Sequence, residues 1–383
     1  MSRRWNSLAW SILAAVFIGM SVYLLLNLTR TGVVPNYRFA ASHWWASKSM
    51  YPGGTHGFLY APPFAVLFTP LNILRPEILG EILWRAIGFG LFGLALWRLA
   101  RISHSIGRLD SAALVFLTVV LLAAPASLAS LNNGQTNLPL SACLVLASLA
   151  LRDQKWNRAA FLLSLSLVLK PIALAPWLLA FAVIPGMRIP LLLGLPALVL
   201  VGFLHPNPSY AWSQWLEFFQ KLMNSYTPEN LRVSDLFGAI GKTGVQIPPI
   251  LEKGIRAVAC AGGLACMGFA YRKNGFWGGS WALWVITALV FTVFNPRVET
   301  NSYVLVSPLL AFVAISYWRA GAGEKWKGWV LAAACLGLMC DGMGKPVYLA
   351  TDVWFKPLIV ILVSPLLLRV PQDWKTGSGG QRS

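Results

Sequence analysis

Two short polar runs interrupt an otherwise apolar sequence: Leu131-Asn132-Asn133-Gly134-Gln135-Thr136-Asn137 and Asn295-Pro296-Arg297-Val298-Glu299-Thr300-Asn301. A third interruption is Lys170 followed by Pro171, and the long segment 205–252 adds His205, Glu229, Arg232 and Asp235. Lys170, Arg297 and Arg232 suit a phosphate or pyrophosphate, because charge-assisted hydrogen bonds to such anions are the strong ones. Gln135, Asn137 and Asn301 both donate and accept, which suits sugar hydroxyls. Taken singly, each residue also has a plain structural use: Asn and Gly cap helices, and Arg297 with Glu299 can form an ion pair.

These residues must be positioned by membrane helices. Of 383 residues, 57% are hydrophobic and 11% charged, with mean hydropathy +0.62. A water-solvated domain carries about a quarter charged residues, so that class is excluded. Apolar segments fall near 8–28, 58–74, 79–97, 111–130, 138–151, 159–170, 172–184, 189–204, 253–271, 276–294, 302–318, 328–341 and 355–368. Several are shorter than the ~17 residues of an ordinary span. Short or broken helices are tolerated where their backbone faces protein or a wet cavity, and Lys170-Pro171 is read as such a break.

The net charge of +18 sorts by side. With the N-terminus inside, the stretches 1–7, 98–110, 152–158, 185–188, 272–275, 319–327 and 369–383 hold 17 Lys and Arg in 59 residues. The opposite stretches, 29–57, 131–137, 205–252, 295–301 and 342–354, hold 8 in 104. The positive-inside rule supports this orientation, and membrane lipids rather than nucleic acid account for the excess of base. Both termini then lie in the cytoplasm and crossings are even in number. The expectation is an all-α polytopic membrane protein with about 12 transmembrane helices, the segment 58–74 being re-entrant.

Arg3-Arg4 and the run 8–28 read as an uncleaved first span. Residues 1–371 form one transmembrane domain and 372–383 a disordered cytoplasmic tail. Two outer stretches read as interfacial helices: 36–48, with Tyr37, Ala41, Trp44 and Trp45 on one face, and 209–223, with Trp212, Trp215, Leu216, Phe219 and Leu222. The five cysteines lie in or beside apolar runs without a CxxC, so no metal site or disulfide framework is indicated. This topology gathers the polar runs on the outer side. Ionisable groups collected at membrane depth mark a functional site, and phosphate binders beside sugar binders, reached from lipid, describe a site for a polyprenyl-phosphate sugar.

The sequence here resembles glycosyltransferase family 87. Tyr60-Ala-Pro-Pro-Phe-Ala-Val-Leu-Phe-Thr-Pro-Leu is similar to that family's Y-x-P-P-x-x-x-x-x-x-P-L segment, and Gly134-Gln135-Thr136-Asn137 to its G-Q-x-N motif. Ala159 to Leu169 with Lys170-Pro171 is similar to its span ending in L-K-P, and the stretch from Asn295 to Tyr303 to its late polar loop. The resemblance covers most of residues 1–320. It implies a C-type glycosyltransferase fold with the active site outside the membrane and a polyprenyl-phosphate donor, typically of mannose. The acceptor would be a lipid or glycan and the location the inner cell membrane. Neither a nucleotide sugar nor a tightly held metal or other cofactor is implied. A carboxylate in the first outer loop would serve as the base.

Here the sequence departs from the pattern. Residues 1–76 contain no Asp or Glu, and Asn36 stands nearest the usual aspartate. The outer carboxylates that remain are Glu217, Glu229, Asp235, Glu252, Glu299, Asp341 and Asp352. Glu299 is the first choice of base and Asp235 the second. Lys170, Arg297 and Arg232 are expected to hold the donor phosphate. Asn36, His56, Tyr60, Gln135, Asn137 and Asn301 are expected to contact sugar or acceptor, with His56 a further possible base near neutral pH. Two alternatives stay open: a non-catalytic lipid-linked-sugar binding or assembly protein, and a secondary transporter. The internal repeats usual in transporters are not found.

Overall fold

The structure, a computed structural model, describes residues 2–28, 32–103, 112–225 and 233–375. Among them every regular element is helical. The chain opens with α1 (Ser2–Leu26), α2 (Val34–Trp45), α3 (Pro62–Ile73), α4 (Glu77–Ser103) and α5 (Ala112–Ala123). It continues with α6 (Leu128–Asn133), α7 (Asn137–Arg152), α8 (Trp156–Leu169), α9 (Leu174–Val183), α10 (Arg188–Val201), α11 (Pro208–Asn224) and α12 (Leu236–Gly241). It closes with α13 (Pro249–Leu289), α14 (Ser307–Arg319), α15 (Lys325–Gly337), α16 (Lys345–Thr351), α17 (Phe355–Leu367) and α18 (Gln372–Lys375).

Among the described residues, three helices are long and apolar enough to cross a membrane: Arg3–Leu26, Glu77–Ile102 and Pro249–Phe294. Two bent pairs would raise the number to five, and six further apolar helices have 10–17 residues. The twelve crossings expected from the sequence therefore require the short helices to cross as well. α3 is one of these: its 12 residues rise about 18 Å, well short of a ~30 Å hydrocarbon core. α13 is interrupted at Gly275 (φ 57°, ψ −142°), directly after the basic pair Arg272-Lys273 and Asn274, so its 41 residues form two helices.

Burial divides the helices sharply. Every residue of α7 is buried, and α7 packs on α4, α8 and α13. α14 packs on α5 and α15 beside it. At the other extreme, α1 exposes Leu8, Ile18, Val22 and Leu26, and only 17% of its most apolar stretch is covered. An apolar helix bare on most sides belongs against lipid, whereas one covered all round belongs in the core.

The two stretches read as interfacial differ in outcome. In α2, Tyr37, Ala41 and Trp44 are fully buried while Trp45 is exposed, so most of that apolar face packs into protein rather than lying on a membrane surface. In α11 the pattern is inside out: Trp212, Leu216 and Phe219 are exposed while Gln214 and Lys221 are buried. That arrangement suits a helix with apolar surroundings. The buried polar face of α11 holds the loop that follows α2. Gln214 Oε1 accepts from Met50 N at 2.9 Å, Glu217 accepts from Ser49 Oγ, and Lys221 Nζ donates to the carbonyls of Pro52 and Gly54 at 2.6 and 2.8 Å.

Candidate functional site

The site is assembled from helix ends. α6 stops at Asn133 because Gly134 adopts φ 63°, ψ 30°, a left-handed conformation favoured by glycine. A Cβ there would stand 2.4 Å from Val34 Cγ2. The carbonyls left open at this end are met from α4: Trp84 Nε1 donates to Gly134 O at 2.7 Å, and Arg85 donates to Leu131 O and Asn132 O at 3.1 Å each. The turn between α6 and α7 is thus held by two side chains some fifty positions earlier in the chain. α8 stops for a different reason. Lys170 precedes a proline, is extended at φ −160°, ψ 125°, and leaves the helix with its side chain beside α7.

A chain of side-chain hydrogen bonds runs from Lys170 to Glu299. Lys170 Nζ donates to Asn137 Oδ1 at 2.8 Å, and Asn137 Nδ2 donates to Gln135 Oε1 at 2.6 Å. Gln135 Nε2 donates to Glu299 Oε2 at 2.7 Å, and Asn301 Nδ2 donates to the same oxygen at 3.0 Å. The order follows from donor inventory. An ammonium only donates, so it sets which way Asn137 faces, which sets Gln135, which delivers an N–H to a carboxylate that only accepts. Asn137 and Asn301 are buried, and Ser130 Oγ holds Asn301 O at 2.8 Å from α6. Glu299 Oε2 therefore has two amide donors, while its Oε1 meets no donor among the described residues.

Beside this chain lies a cavity of about 330 Å³ lined by Asn36, Tyr60, Gln135, Lys170, Arg297 and Glu299, among others. Arg297 is held in place by carbonyls: its guanidinium donates to Ser225 O and to Thr55 O, the latter at 3.2 Å. Burial pushes its pKa down, and the nearby Glu299 charge opposes that shift. Neither Lys170 nor Arg297 forms an ion pair with a carboxylate among the described residues. Two half-buried cations satisfied only by neutral acceptors make a place for an anion. The aromatic side is built by Tyr37 and Tyr60, whose hydroxyls lie 3.0 Å apart, with Tyr51 Oη fixing Tyr60 O at 2.7 Å.

Of the residues singled out from sequence, Lys170, Arg297, Gln135, Glu299, Asn36, His56 and Tyr60 line this one cavity. His56 is the exposed member. Asn137 and Asn301 lie behind the lining and orient it. Arg232 lies outside the described residues. Asp235 lies elsewhere: it is fully buried, caps α12 by accepting from Gly238 N at 2.7 Å, and pairs with Arg256 at 2.6 Å. Burial pushes its carboxyl up, while the Gly238 N–H and Arg256 pull it down. Its oxygens are committed to these partners, and it does not line the cavity.

Trp84 and Arg85 do not stand out in the sequence because they lie inside a long, mostly apolar helix, away from the polar runs. The same holds for Lys356, whose ammonium donates to Thr300 O at 2.9 Å, next to Glu299. The only signal available for the two cations was the cost of a charge at membrane depth.

No curated protein and no solved structure matches the chain. A sequence model of glycosyltransferase family 87 does match, over residues 58–292. The matched span takes in Tyr60, Gln135, Asn137 and Lys170, and ends just before the loop that carries Arg297 and Glu299. With more than half its length matched, its apolar helices and this cavity at their ends, the chain belongs to glycosyltransferase family 87.

Proposed function

We propose that the protein transfers a hexose, mannose by the family resemblance, from a polyprenyl-phosphate donor to a lipid or glycan acceptor on the outer face of the inner cell membrane. The observation that carries this reading is the pair of cations without carboxylate partners, Lys170 and Arg297, lining one cavity with a carboxylate pinned by two amides. The donor phosphate takes the place between the cations. Glu299 is the base. The acceptor oxygen forms a bond to the anomeric carbon as the bond from that carbon to the phosphate oxygen breaks. The electron pair leaves with polyprenyl phosphate, whose charge the two cations offset, and the acceptor proton passes to Glu299. Gln135 and Asn301 keep the carboxylate oriented, and Tyr60 and Asn36 face the sugar. The inside location of both termini, with about twelve crossings, is supported by the 17 basic residues gathered in 59 positions.

The test is transfer of radiolabelled mannose from polyprenyl-phosphate mannose by membranes containing the full chain. Lys170→Ala and Arg297→Ala should each abolish transfer, since truncating one partner of a buried charged contact typically costs about 2–5 kcal/mol. Wild-type rates in both variants would sink the donor assignment. A second reading is favoured by one observation: Asn36, which lines the cavity, stands where the resemblance leads one to expect an acid. On that reading the protein binds lipid-linked sugar without turning it over. Tight donor binding by the wild-type chain with no transfer to any acceptor would establish it.

A further inference from the structure

Glu299 also borders a second cavity, of about 640 Å³, on its Asp341 side. A third cavity, of about 660 Å³, lies away from both, at the far end of α7. α7 leaves the candidate site at Asn137 and ends at Arg152, whose Nε donates to Trp374 O at 2.7 Å, and its 16 residues rise about 24 Å. Gln372 and Lys375, on either side of Trp374, both line the third cavity. We propose that this cavity binds one acidic glycerophospholipid, with its phosphate held by Lys273, Arg369 and Lys375 and an acyl chain lying along α13. The proposal stands apart from the transferase reading and does not depend on it.

Three elements deliver one cation each. α13 turns back on itself at Gly275: a Cβ on Gly278 would collide with Ala270 O, and one on Gly263 would stand 2.8 Å from Ile286 Cγ2, so its two halves run antiparallel. Lys273 sits in the polar turn of this hairpin. Arg369 follows α17, whose end is tied to the hairpin by Trp281 Nε1 donating to Leu367 O at 3.0 Å. Lys375 is brought in by α18, which is fixed by the fully buried Trp374; its Nε1 donates to Trp277 O at 3.1 Å and to Ser280 Oγ at 3.0 Å. None of the three cations pairs with a carboxylate among the described residues, and no Asp or Glu is among the described lining residues. Asp373, next to Gln372, is buried and pairs with Arg319 at 3.6 Å. Asn274 and Gln372 add amide donors suited to ester carbonyls and headgroup hydroxyls. Beyond this polar end the wall is apolar, with Ala265 exposed and Phe269 67% exposed, and Lys273 Nζ lies 5.8 Å from the Phe269 ring. A free phosphate would leave that wall bare, and an uncharged lipid would leave the three cations unmatched. All three belong to stretches that the charge sorting assigns to the cytoplasmic side, where acidic lipids gather and basic pockets between helices hold their headgroups.

The purified full chain in detergent is titrated with dioleoylphosphatidylglycerol and with dioleoylphosphatidylcholine, and bound lipid is counted by native mass spectrometry. One phosphatidylglycerol should bind about tenfold more tightly than phosphatidylcholine. Lys273→Gln, Arg369→Gln and Lys375→Gln combined should remove that preference. Arg3→Gln, Arg4→Gln and Lys325→Gln combined should keep it, since these are exposed basic residues of the same side that do not line the cavity. Ala265→Phe, at an exposed position on the apolar wall, leaves the cations in place and should weaken phosphatidylglycerol binding about fivefold. No preference in the wild-type chain, or equal loss in the two combined variants, overturns the proposal. Unchanged affinity in Ala265→Phe overturns it in favour of a bare anion site, as does displacement of the lipid by inorganic phosphate. Displacement by equimolar polyprenyl phosphate overturns it in favour of a second place for the donor lipid.

Discussion

The cavity on the Lys170 side of Glu299 and the cavity on the Asp341 side are built from the same two loops. From the first loop, Gln135 faces the one and Asn132 and Asn133 face the other; from the second, Arg297 faces the one and Thr300 and Asn301 the other. The turn at Gly134 and the residue Glu299 are where each loop changes sides. What differs is the third contributor. Lys170, at the end of α8, serves the first cavity, whereas the segment after α15 brings Asp341 and Asp352 to the second. One shared frame thus carries cations on one side and carboxylates on the other.

Removing the shared group should have the largest effect. Glu299→Gln keeps an oxygen for the Gln135 and Asn301 amides but loses the base, so transfer should fall by about 10²–10⁴-fold with donor and acceptor binding retained. Single-turnover kinetics alongside equilibrium binding separate the two; a variant that still turns over at wild-type rate removes Glu299 from the centre of the comparison. Next comes the shared turn. Gly134→Ala places a side chain on a left-handed residue and against Val34, and should cost about 1–3 kcal/mol of stability. Thermal unfolding in nanodiscs reads this, and polyprenyl phosphate binding should weaken with it.

A smaller change tests the charge division. Asn36→Asp puts a carboxylate into the cationic cavity and should weaken polyprenyl phosphate binding by about fivefold at low salt. A new transferase activity in this variant, when the wild type has none, would show instead that Asn36 marks a lost base. The smallest effect belongs to His56→Ala. This histidine is exposed at the cavity edge, and transfer rates between pH 6 and 8 should change less than about twofold.

Much of the first cavity is legible in the sequence. Gln135, Lys170, Arg297 and Glu299 each break an apolar run, and a polar residue that a membrane would otherwise reject is conspicuous in one dimension. The amphipathic faces are legible only in part. α11 carries its aromatics outward as its pattern suggests, but the similar pattern of α2 is turned mostly into the core, because a helix pattern fixes which residues share a face and not what that face meets. The second cavity is not legible at all. Asp341 meets Lys356, and Lys356 meets Thr300, across 56 positions of sequence, with no motif linking them.

Composition and the spacing of apolar runs were enough to establish a helical membrane chain and the helix break at Lys170, since both depend on neighbours along the chain. How each carboxylate singled out from the sequence is engaged was decided only on folding. Glu217 is engaged by Ser49 and Gln214, Asp235 and Glu252 by Arg256, and Asp341 on one oxygen by Lys356. Glu299 alone of these is held by two neutral amides at the boundary of two cavities. A carboxylate's chemistry is set by the charges and donors within a few ångströms of it, and those neighbours come from helices distant in sequence.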